Sequence, residues 1–207
     1  MRTPWEYAYT FARLRGSSKQ DAKSLAEQAM KDTDLWEQRN QICLSLSGGQ
    51  KRRAIIASAL ASHAEVLMLD EPTIGLDAVA RRTVWAALRR MVREGRTILL
   101  TTHNMEEAEI ISDTLAIVDK GQVVAKGRPD EVRGLVNQKY RVVVEGEFDC
   151  ARYEDRVEMG DRQIIYLHNQ DEALSLVGDV LKTGARASAA PVTLEDVFVK
   201  LVGRVEA

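Results

Sequence analysis

The sequence predicts an α/β fold with a mostly parallel sheet, a helical region ahead of the sheet and a small α+β region at the end. Apolar segments at Val66–Leu69 and Thr97–Thr102 are each followed by a helical pattern, which is typical of parallel strands joined through helices. Short segments of a different character follow residue 137. With 207 residues, 45% of them hydrophobic, the chain has material for one domain and a small appendage.

The first forty residues are predicted to be helical. Ser18 is placed to cap a helix, with Asp21 at its third position. Apolar residues then share one face of that helix: Ala22, Leu25, Ala26, Ala29 and Met30. Ser47-Gly48-Gly49 opens a further helix that extends to about Ser62.

Strands and helices alternate from residue 66 onward. Helical patterns are predicted over Asp77–Arg93 and Met105–Ile111. Leu115–Val118 and Val123–Lys126 flank a tight turn at Lys120-Gly121, which predicts a β-hairpin.

Residues 138–207 are predicted to form a small α+β domain. Tyr140–Glu145 and Gln163–Leu167 have the pattern of strands. Asn169 with Glu172, and Thr193 with Asp196, are spaced as capping boxes of two helices. The last helix has one apolar stripe and is predicted to end at Gly203; the stripe comprises Leu194, Val197, Phe198, Leu201 and Val202.

Composition narrows the class of protein. The net charge of -2 provides no electrostatic attraction for DNA or RNA, so no nucleic-acid partner is expected. Cys43 and Cys150 match no metal-ligand spacing and are typical of reduced thiols. The most apolar stretch, 54–69, is interrupted by polar residues, and the N-terminus has no signal-peptide core. We expect a cytoplasmic protein whose membrane role, if any, depends on a partner.

Ser47-Gly48-Gly49-Gln50 is the first candidate site. A helix N-terminus presents unpaired N–H groups and a positive dipole end, and two glycines allow a phosphate to approach the backbone. The alternative for an isolated Ser-Gly-Gly is a helix cap with a flexible diglycine. The basic run that follows, and an acidic strand end twenty residues later, favour the phosphate site.

Acidic and imidazole side chains follow the predicted parallel strands. Asp70 and Glu71 lie at the carboxyl end of an apolar strand, where one carboxylate is suited to Mg²⁺ and its neighbour to an attacking water. Asp77 follows Gly75-Leu76, and His103 follows the next strand. Taken singly, each has an ordinary alternative: acids capping a turn, Asp77 as a helix N-cap, and His103 as a strand-end histidine before an Asn104–Glu107 box.

Together these motifs resemble the ATPase subunit of ATP-binding-cassette (ABC) transporters, and most closely its daunorubicin-resistance type of drug exporter. In this resemblance Leu46–Gln50 is the signature motif, Val66–Asp70 is Walker B and Gly75–Asp77 is the D-loop. Glu71 corresponds to the catalytic carboxylate and His103 to the switch histidine. Ala78 departs from the proline that is common in the family at that position.

The resemblance implies a partial P-loop NTPase (ABC cassette) fold, with a helical subdomain at about 1–60, a core at about 61–137 and the accessory domain at 138–207. It implies ATP and Mg²⁺ as cofactors, with Ser47, Gly48, Gly49, Gln50 and Asp77 on nucleotide, Asp70 on Mg²⁺, and Glu71 and His103 in catalysis. A second ABC ATPase subunit, in a homo- or heterodimer, and membrane-embedded permease subunits are the expected partners.

One motif of the family is missing from the 207 residues. No Gly-Lys dipeptide occurs in the sequence, so the phosphate-cradling P-loop G-x-x-x-x-G-K-[ST] is absent, and the family would place it upstream of Met1. We therefore expect this chain alone to be inactive. One alternative is an incompetent half-cassette that pairs with an intact subunit as a binding or regulatory module. Another is the C-terminal half of a chromosome-maintenance or DNA-repair ATPase, which the lack of heptads before Leu46 disfavours.

Overall fold

The computed structural model describes residues 2–203, and the chain divides into two compact units after His103. These units are Met1–His103 and Asn104–Ala207, and each has its own packing. The assignment of a cassette portion to 1–137 and of an accessory domain to 138–207 stays a prediction. Within the described residues, no helix is both long and apolar enough to cross a membrane.

Four helices build most of the first unit. They are α1 (Pro4–Leu14), α2 (Lys19–Asp32), α3 (Gly48–Ala61) and α4 (Ala78–Arg93). The Ser18 hydroxyl accepts a hydrogen bond from Asp21 N–H at 3.1 Å, which confirms the predicted start of α2. Helix packing is close because alanines fill the contacts; the fully buried ones are Ala8, Ala12, Ala22, Ala26 and Ala57.

The first unit also contains two parallel strands, β1 (Val66–Asp70) and β2 (Thr97–Thr101). The register pairs Met68 with Leu99 and Asp70 with Thr101. This confirms the predicted parallel pairing. It also brings the carboxyl ends of both strands to the same edge, where the sequence places its acidic and imidazole groups.

The second unit begins with α5 (Met105–Ile111) and the hairpin of β3 (Leu115–Asp119) and β4 (Gln122–Gly127). Lys120 and Gly121 both have positive φ, at 48° and 79°, as the turns of tight hairpins require. The hairpin is therefore as predicted. A short helix that the sequence did not indicate, α6 (Pro129–Arg133), follows β4.

A four-stranded antiparallel sheet with two helices completes the second unit. Its strands are β5 (Tyr140–Glu145), β6 (Arg156–Met159), β7 (Arg162–Leu167) and β8 (Arg186–Pro191), in the order β6-β7-β5-β8. Its helices are α7 (Gln170–Lys182) and α8 (Leu194–Gly203). The sequence predicts β5 and β7 but not β6 and β8. Thr193 and Asp196 form the predicted capping box. Asn169 accepts from Glu172 N–H as predicted, but the Glu172 carboxylate accepts from His168 N–H and from the Asn169 side chain, so that box is incomplete. The segment of β8 reads RASAAP, which has no β-branched residue to indicate a strand.

Each face of this sheet contributes to a separate core. Val142, Val144 and Ile165 pack with Leu176 of α7 on one face. On the other side, Tyr166 joins a cluster that includes side chains of the β3–β4 hairpin, α6 and α8. The sheet thus separates two apolar clusters.

A polar cluster fastens the start of α8 to this sheet. The Asp196 carboxylate is 5% exposed and accepts hydrogen bonds from Tyr166 Oη at 2.9 Å and Arg141 at 3.1 Å. Its other oxygen accepts from the N–H and the hydroxyl of Thr193, both at 2.7 Å. Burial acts to raise the pKa of Asp196, but the bonds from Thr193 and Tyr166 outweigh it and the pKa lies below its ordinary value. Burial and the nearby Asp196 charge raise the pKa of Tyr166.

Replacing Asp196 by asparagine is expected to lower the free energy of unfolding by about 1–3 kcal/mol at pH 7, because the buried donors around it lose a charged acceptor. A carboxylate with a depressed folded pKa stabilises the fold above its unfolded pKa, and this contribution is lost as the pH falls through the folded pKa. In urea titrations the gap between wild type and variant should therefore close below about pH 4. Asp179→Asn, at a half-exposed acid beside Lys182, is the control and should change stability less. A gap that is unchanged at low pH would contradict this account.

Candidate functional site

The carboxyl ends of β1 and β2 hold the acidic part of the candidate site. Thr101 donates its hydroxyl hydrogen to Asp70 Oδ1, across the strand register. Glu71 N–H lies 3.1 Å from the carbonyl oxygen of Thr101 and continues the ladder by one residue. The two acids are thus attached to both strands, and the second carboxylate oxygen of Asp70 is left for another ligand.

Glu71 leaves the strand in a left-handed conformation, with φ of 47°. This region is costly for a residue with a side chain, and here it turns the chain sharply away from the strand. His103 Nδ1 lies 2.9 Å from Glu71 Oε2. The imidazole is 72% exposed and the carboxylate 31%, so the pair is accessible to solvent and to a ligand.

Arg52 connects the helix that follows the signature motif to this acidic loop. Its guanidinium donates to three consecutive carbonyl oxygens: Nε to Pro72 at 3.2 Å, and a terminal nitrogen to Asp70 at 2.9 Å and to Glu71. A planar guanidinium, with several N–H groups in fixed directions, is suited to donate to neighbouring carbonyl oxygens in this way. Sequence reasoning noted only a basic run at 51–53, and nothing in that run distinguishes Arg52 from its neighbours.

The signature segment forms the start of α3 as predicted. Ser47 Oγ accepts from Gln50 N–H at 3.3 Å, and Gln50 Oε1 accepts from Ser47 N–H at 2.9 Å, which completes a capping box. The Ser47 hydroxyl hydrogen remains available to a ligand. A Cβ added at Gly48 would meet no atom within 4 Å, so the backbone is open to close approach there.

The D-loop lies next to the signature helix. Gly75 has φ of +74°, which turns the chain back toward α4. A Cβ at Gly49 would lie 3.6 Å from Leu76 Cδ2, so the two motifs are in van der Waals reach. Asp77 Oδ1 caps α4 by accepting from Ala80 N–H at 2.9 Å and Val79 N–H at 3.0 Å, and these bonds, that from Ala80 foremost, lower the pKa of Asp77.

The structure therefore arranges the predicted residues in two groups. Asp70, Glu71 and His103 come together through hydrogen bonds at one sheet edge. The second group comprises Ser47, Gly48, Gly49, Gln50 and Asp77, at the starts of α3 and α4. Arg52 is the link between the groups, since it extends from α3 to the acidic loop.

The donors around Asp70 bear on how a Mg²⁺ ion would be held. Among the described residues, no group of three or more His, Cys, Asp or Glu side chains is placed to hold a metal ion. A single carboxylate suits Mg²⁺ that arrives with phosphate oxygens and water, because Mg²⁺ commonly keeps such ligands in nucleotide sites. Asp70 thus fits a nucleotide-borne ion and does not fit a metal held by protein ligands alone.

Comparisons with known proteins identify relatives of this chain. The family model of the ABC transporter matches residues 3–74, a span that includes the signature segment and the Asp70–Glu71 strand end. A Nod factor export ATP-binding protein I of Burkholderia pseudomallei is 34% identical over 217 residues, covering 96% of this chain and 67% of that protein. The corresponding protein of Rhizobium etli is 33% identical over 206 residues, covering 96% and 65%.

Two solved structures of ATP-binding cassettes have a fold similar to that of this chain. The ATP-binding subunit of an ABC transporter superposes with a TM-score of 0.58 at 26% identity, over 64% of this chain and 55% of that one. A dimeric ATP-binding cassette in a post-hydrolysis state, bound to ADP and Pi, superposes with a TM-score of 0.56 at 25% identity, over 62% and 57%. The fold is that of a P-loop NTPase cassette. The chain belongs to the family of ABC transporter ATP-binding subunits, and it spans about two thirds of the curated relatives it matches.

Replacing Arg52 by alanine is expected to lower the free energy of unfolding by about 2–4 kcal/mol, because three carbonyl oxygens lose a charged donor. Arg52→Lys should recover only part of this, since an ammonium cannot reproduce the planar fork. The measurement is urea unfolding of the full chain. Lys51→Ala, at the exposed neighbouring position, is the control and should stay within about 0.5 kcal/mol of wild type. Equal effects of the two alanine variants would show that the Arg52 contacts do not stabilise the loop.

Proposed function

We propose that the chain is part of an ATPase subunit that couples ATP hydrolysis to the export of a small molecule. The observation that carries this proposal is the Glu71–His103 pair at the carboxyl edge of two parallel strands, with Oε2 and Nδ1 2.9 Å apart. A carboxylate in hydrogen-bond contact with an imidazole, both partly exposed, is suited to hold and deprotonate a water molecule.

In this proposal each residue of the acidic group has a separate role. Glu71 accepts the proton of the attacking water, and His103 orients the carboxylate through its Nδ1 contact. Asp70 binds Mg²⁺ with the oxygen that Thr101 does not occupy. The Mg²⁺ ion, when bound, neutralises charge on the phosphate oxygens. The left-handed backbone at Glu71 aims its side chain, and Arg52 keeps the loop from relaxing.

The signature group is proposed to act on a nucleotide held by a second ATPase subunit. Ser47 has a hydroxyl hydrogen to donate, Gly48 leaves the backbone N–H groups accessible, and the α3 dipole favours an anion. The dimeric state of the ADP-bound cassette with the same fold supports this arrangement. Asp77, whose carboxylate stays ionised through its helix-cap bonds, is proposed to position the D-loop at that dimer interface.

The direction and type of transport are further proposals. The relatives are named as exporters of Nod factor, which supports export by this chain too. The resemblance to the daunorubicin-resistance type extends the proposal to drug-like cargo, selected by membrane-embedded permease subunits. The subunit would then act at the cytoplasmic side of the membrane, with 138–207 as its accessory domain.

A second candidate function is a regulatory half-cassette. One observation favours it: the 207 residues contain no Gly-Lys dipeptide and hence no phosphate cradle of the family type. Such a chain would complete the nucleotide site of an intact partner through Ser47–Gln50, while its own Glu71 would have no phosphate to act upon.

The catalytic role of Glu71 is tested in a chimaera. The phosphate-binding segment of the Burkholderia pseudomallei relative is joined ahead of residue 1, and Mg-ATP turnover is measured. Glu71→Gln should lower kcat by about 10²–10⁴, as loss of a general base does. Glu65→Gln, an exposed acid just before β1, is the control and should leave turnover unchanged. The chain without the added segment is expected to show no turnover. Hydrolysis that survives Glu71→Gln would exclude Glu71 as the base.

The signature role is tested by adding the chain to an intact relative and measuring Mg-ATP binding by calorimetry. The mixture is expected to bind Mg-ATP more tightly than the relative does alone. Ser47→Ala should weaken Mg-ATP binding by the mixture about 10–100-fold, because a hydrogen bond to a charged phosphate is lost. Ser18→Ala is the matched control, since Ser18 caps α2 through a comparable bond to Asp21 N–H but lies outside the site. Equal losses in both variants would mean that capping alone explains the effect. Tight binding of ATP by the chain alone would mean that it has a phosphate cradle of another type.

A further inference from the structure

The hydroxyl of Thr101, the last residue of β2, contacts both acidic residues at the carboxyl end of β1. Thr101 Oγ1 donates to Asp70 Oδ1. The same oxygen accepts from the backbone nitrogen of Glu71 at 3.3 Å, and this N–H is shared with the Thr101 carbonyl oxygen at 3.1 Å. One side chain of the neighbouring strand is thus bonded to the residue proposed for Mg²⁺ and to the residue proposed as the base.

These contacts fix the direction of the Thr101 hydroxyl hydrogen. A hydroxyl has one hydrogen to donate and lone pairs with which to accept, whereas a backbone N–H can only donate. Because Glu71 N–H donates to Thr101 Oγ1, the hydroxyl hydrogen is directed to the Asp70 carboxylate. Threonine is also restricted at χ1 by its branched β-carbon. The donor therefore approaches Asp70 from one direction.

The backbone and the side chain of Asp70 are held by different partners. Arg52 donates to the Asp70 carbonyl oxygen at 2.9 Å, and Thr101 donates to the carboxylate. Asp70 is exposed at the strand end, and an exposed side chain without such a bond exchanges among staggered rotamers. Mg²⁺ demands near-ideal octahedral geometry, so the direction of a carboxylate oxygen decides how well it serves as a ligand.

We propose that Thr101 is a positioning residue for the nucleotide-borne Mg²⁺, because its hydroxyl occupies Asp70 Oδ1 and holds Oδ2 in one direction for the ion. This role rests on the proposed function, in which Asp70 binds that ion. Loss of a partner that orients a metal ligand typically lowers metal affinity by about 10–100-fold. Glu71 N–H keeps the Thr101 carbonyl oxygen as acceptor when the hydroxyl is removed. Loss of the hydroxyl should therefore affect the metal requirement far more than the base.

The first test uses the full chain without nucleotide. Three-bond couplings to the Asp70 β-hydrogens, measured by NMR, report the χ1 rotamer of Asp70. Wild type and Thr101→Ser should each show one dominant rotamer, whereas Thr101→Val, which keeps the shape but not the hydroxyl, should show averaged couplings. Thr97→Val, at the exposed first residue of β2, is the matched control and should leave the Asp70 couplings unchanged. Averaged couplings in wild type, or one dominant rotamer in Thr101→Val, would overturn the proposal.

The second test measures how ATP binding by the chimaera depends on the Mg²⁺ concentration. The concentration at half-maximal effect should rise about tenfold or more in Thr101→Val, and Thr101→Ser should recover most of the loss. Excess Mg²⁺ should restore turnover in Thr101→Val but not in Glu71→Gln. An unchanged Mg²⁺ requirement, or a loss of turnover that excess Mg²⁺ does not restore, would contradict the role of Thr101.

The two tests separate this role from the proposed catalysis. A wild-type chimaera that binds Mg-ATP without turnover would count against the catalysis alone, and the Mg²⁺ dependence of binding would still decide the role of Thr101. If the chimaera does not bind ATP, the Asp70 couplings in the chain without the added segment decide it.

Discussion

The three hydrogen bonds of Arg52 constrain the loop from which the rest of the candidate site extends. The loop leaves β1 through Glu71, whose backbone is in the left-handed region, and the Glu71 carboxylate still has to reach His103. Backbone pairing with Thr101 holds only the first residue of that path. The guanidinium donates to the carbonyl oxygens of Asp70, Glu71 and Pro72, which stabilises an otherwise strained path.

This contact also couples two motifs that lie twenty residues apart in the chain. The start of α3 carries the signature segment, and one turn later the same helix carries Arg52. A displacement of α3 would therefore change the direction of the Glu71 carboxylate. The contact of Leu76 with the Gly49 backbone is a second, apolar connection between the same two regions. Two contacts thus connect the start of α3 to the segment from Asp70 to Asp77 within the first unit.

Local sequence signals predicted the elements that position the site. Ser18, Ser47 and Asn169 each precede a helix by one residue and accept the hydrogen bond that their type predicts, because capping is decided within four residues. The parallel pairing of β1 with β2 also followed from their apolar character and the helix between them. The family of the chain is confirmed, whereas the roles of the individual site residues stay predictions.

Other features depend on contacts that no local pattern encodes. Arg52 acquires its role from carbonyl groups eighteen to twenty residues away, and Arg53 beside it donates instead to Thr33 and Asp34. The strand β8 exists because β5 and α7 enclose it, although its own residues have little strand propensity. In the same way, alternation in β1 shows two faces, but only the three-dimensional arrangement shows that Met68 is bare.

The capping box between Ser47 and Gln50 has a consequence for the kinetics of assembly. The helix start is already ordered in the chain alone, with side chain and backbone bonded reciprocally. Arrival of an anion would therefore require no folding of this segment, and little conformational entropy would be lost on contact. The association rate at such a surface is set by diffusional encounter and orientation. Differences in affinity among related complexes then arise mostly from the dissociation rate.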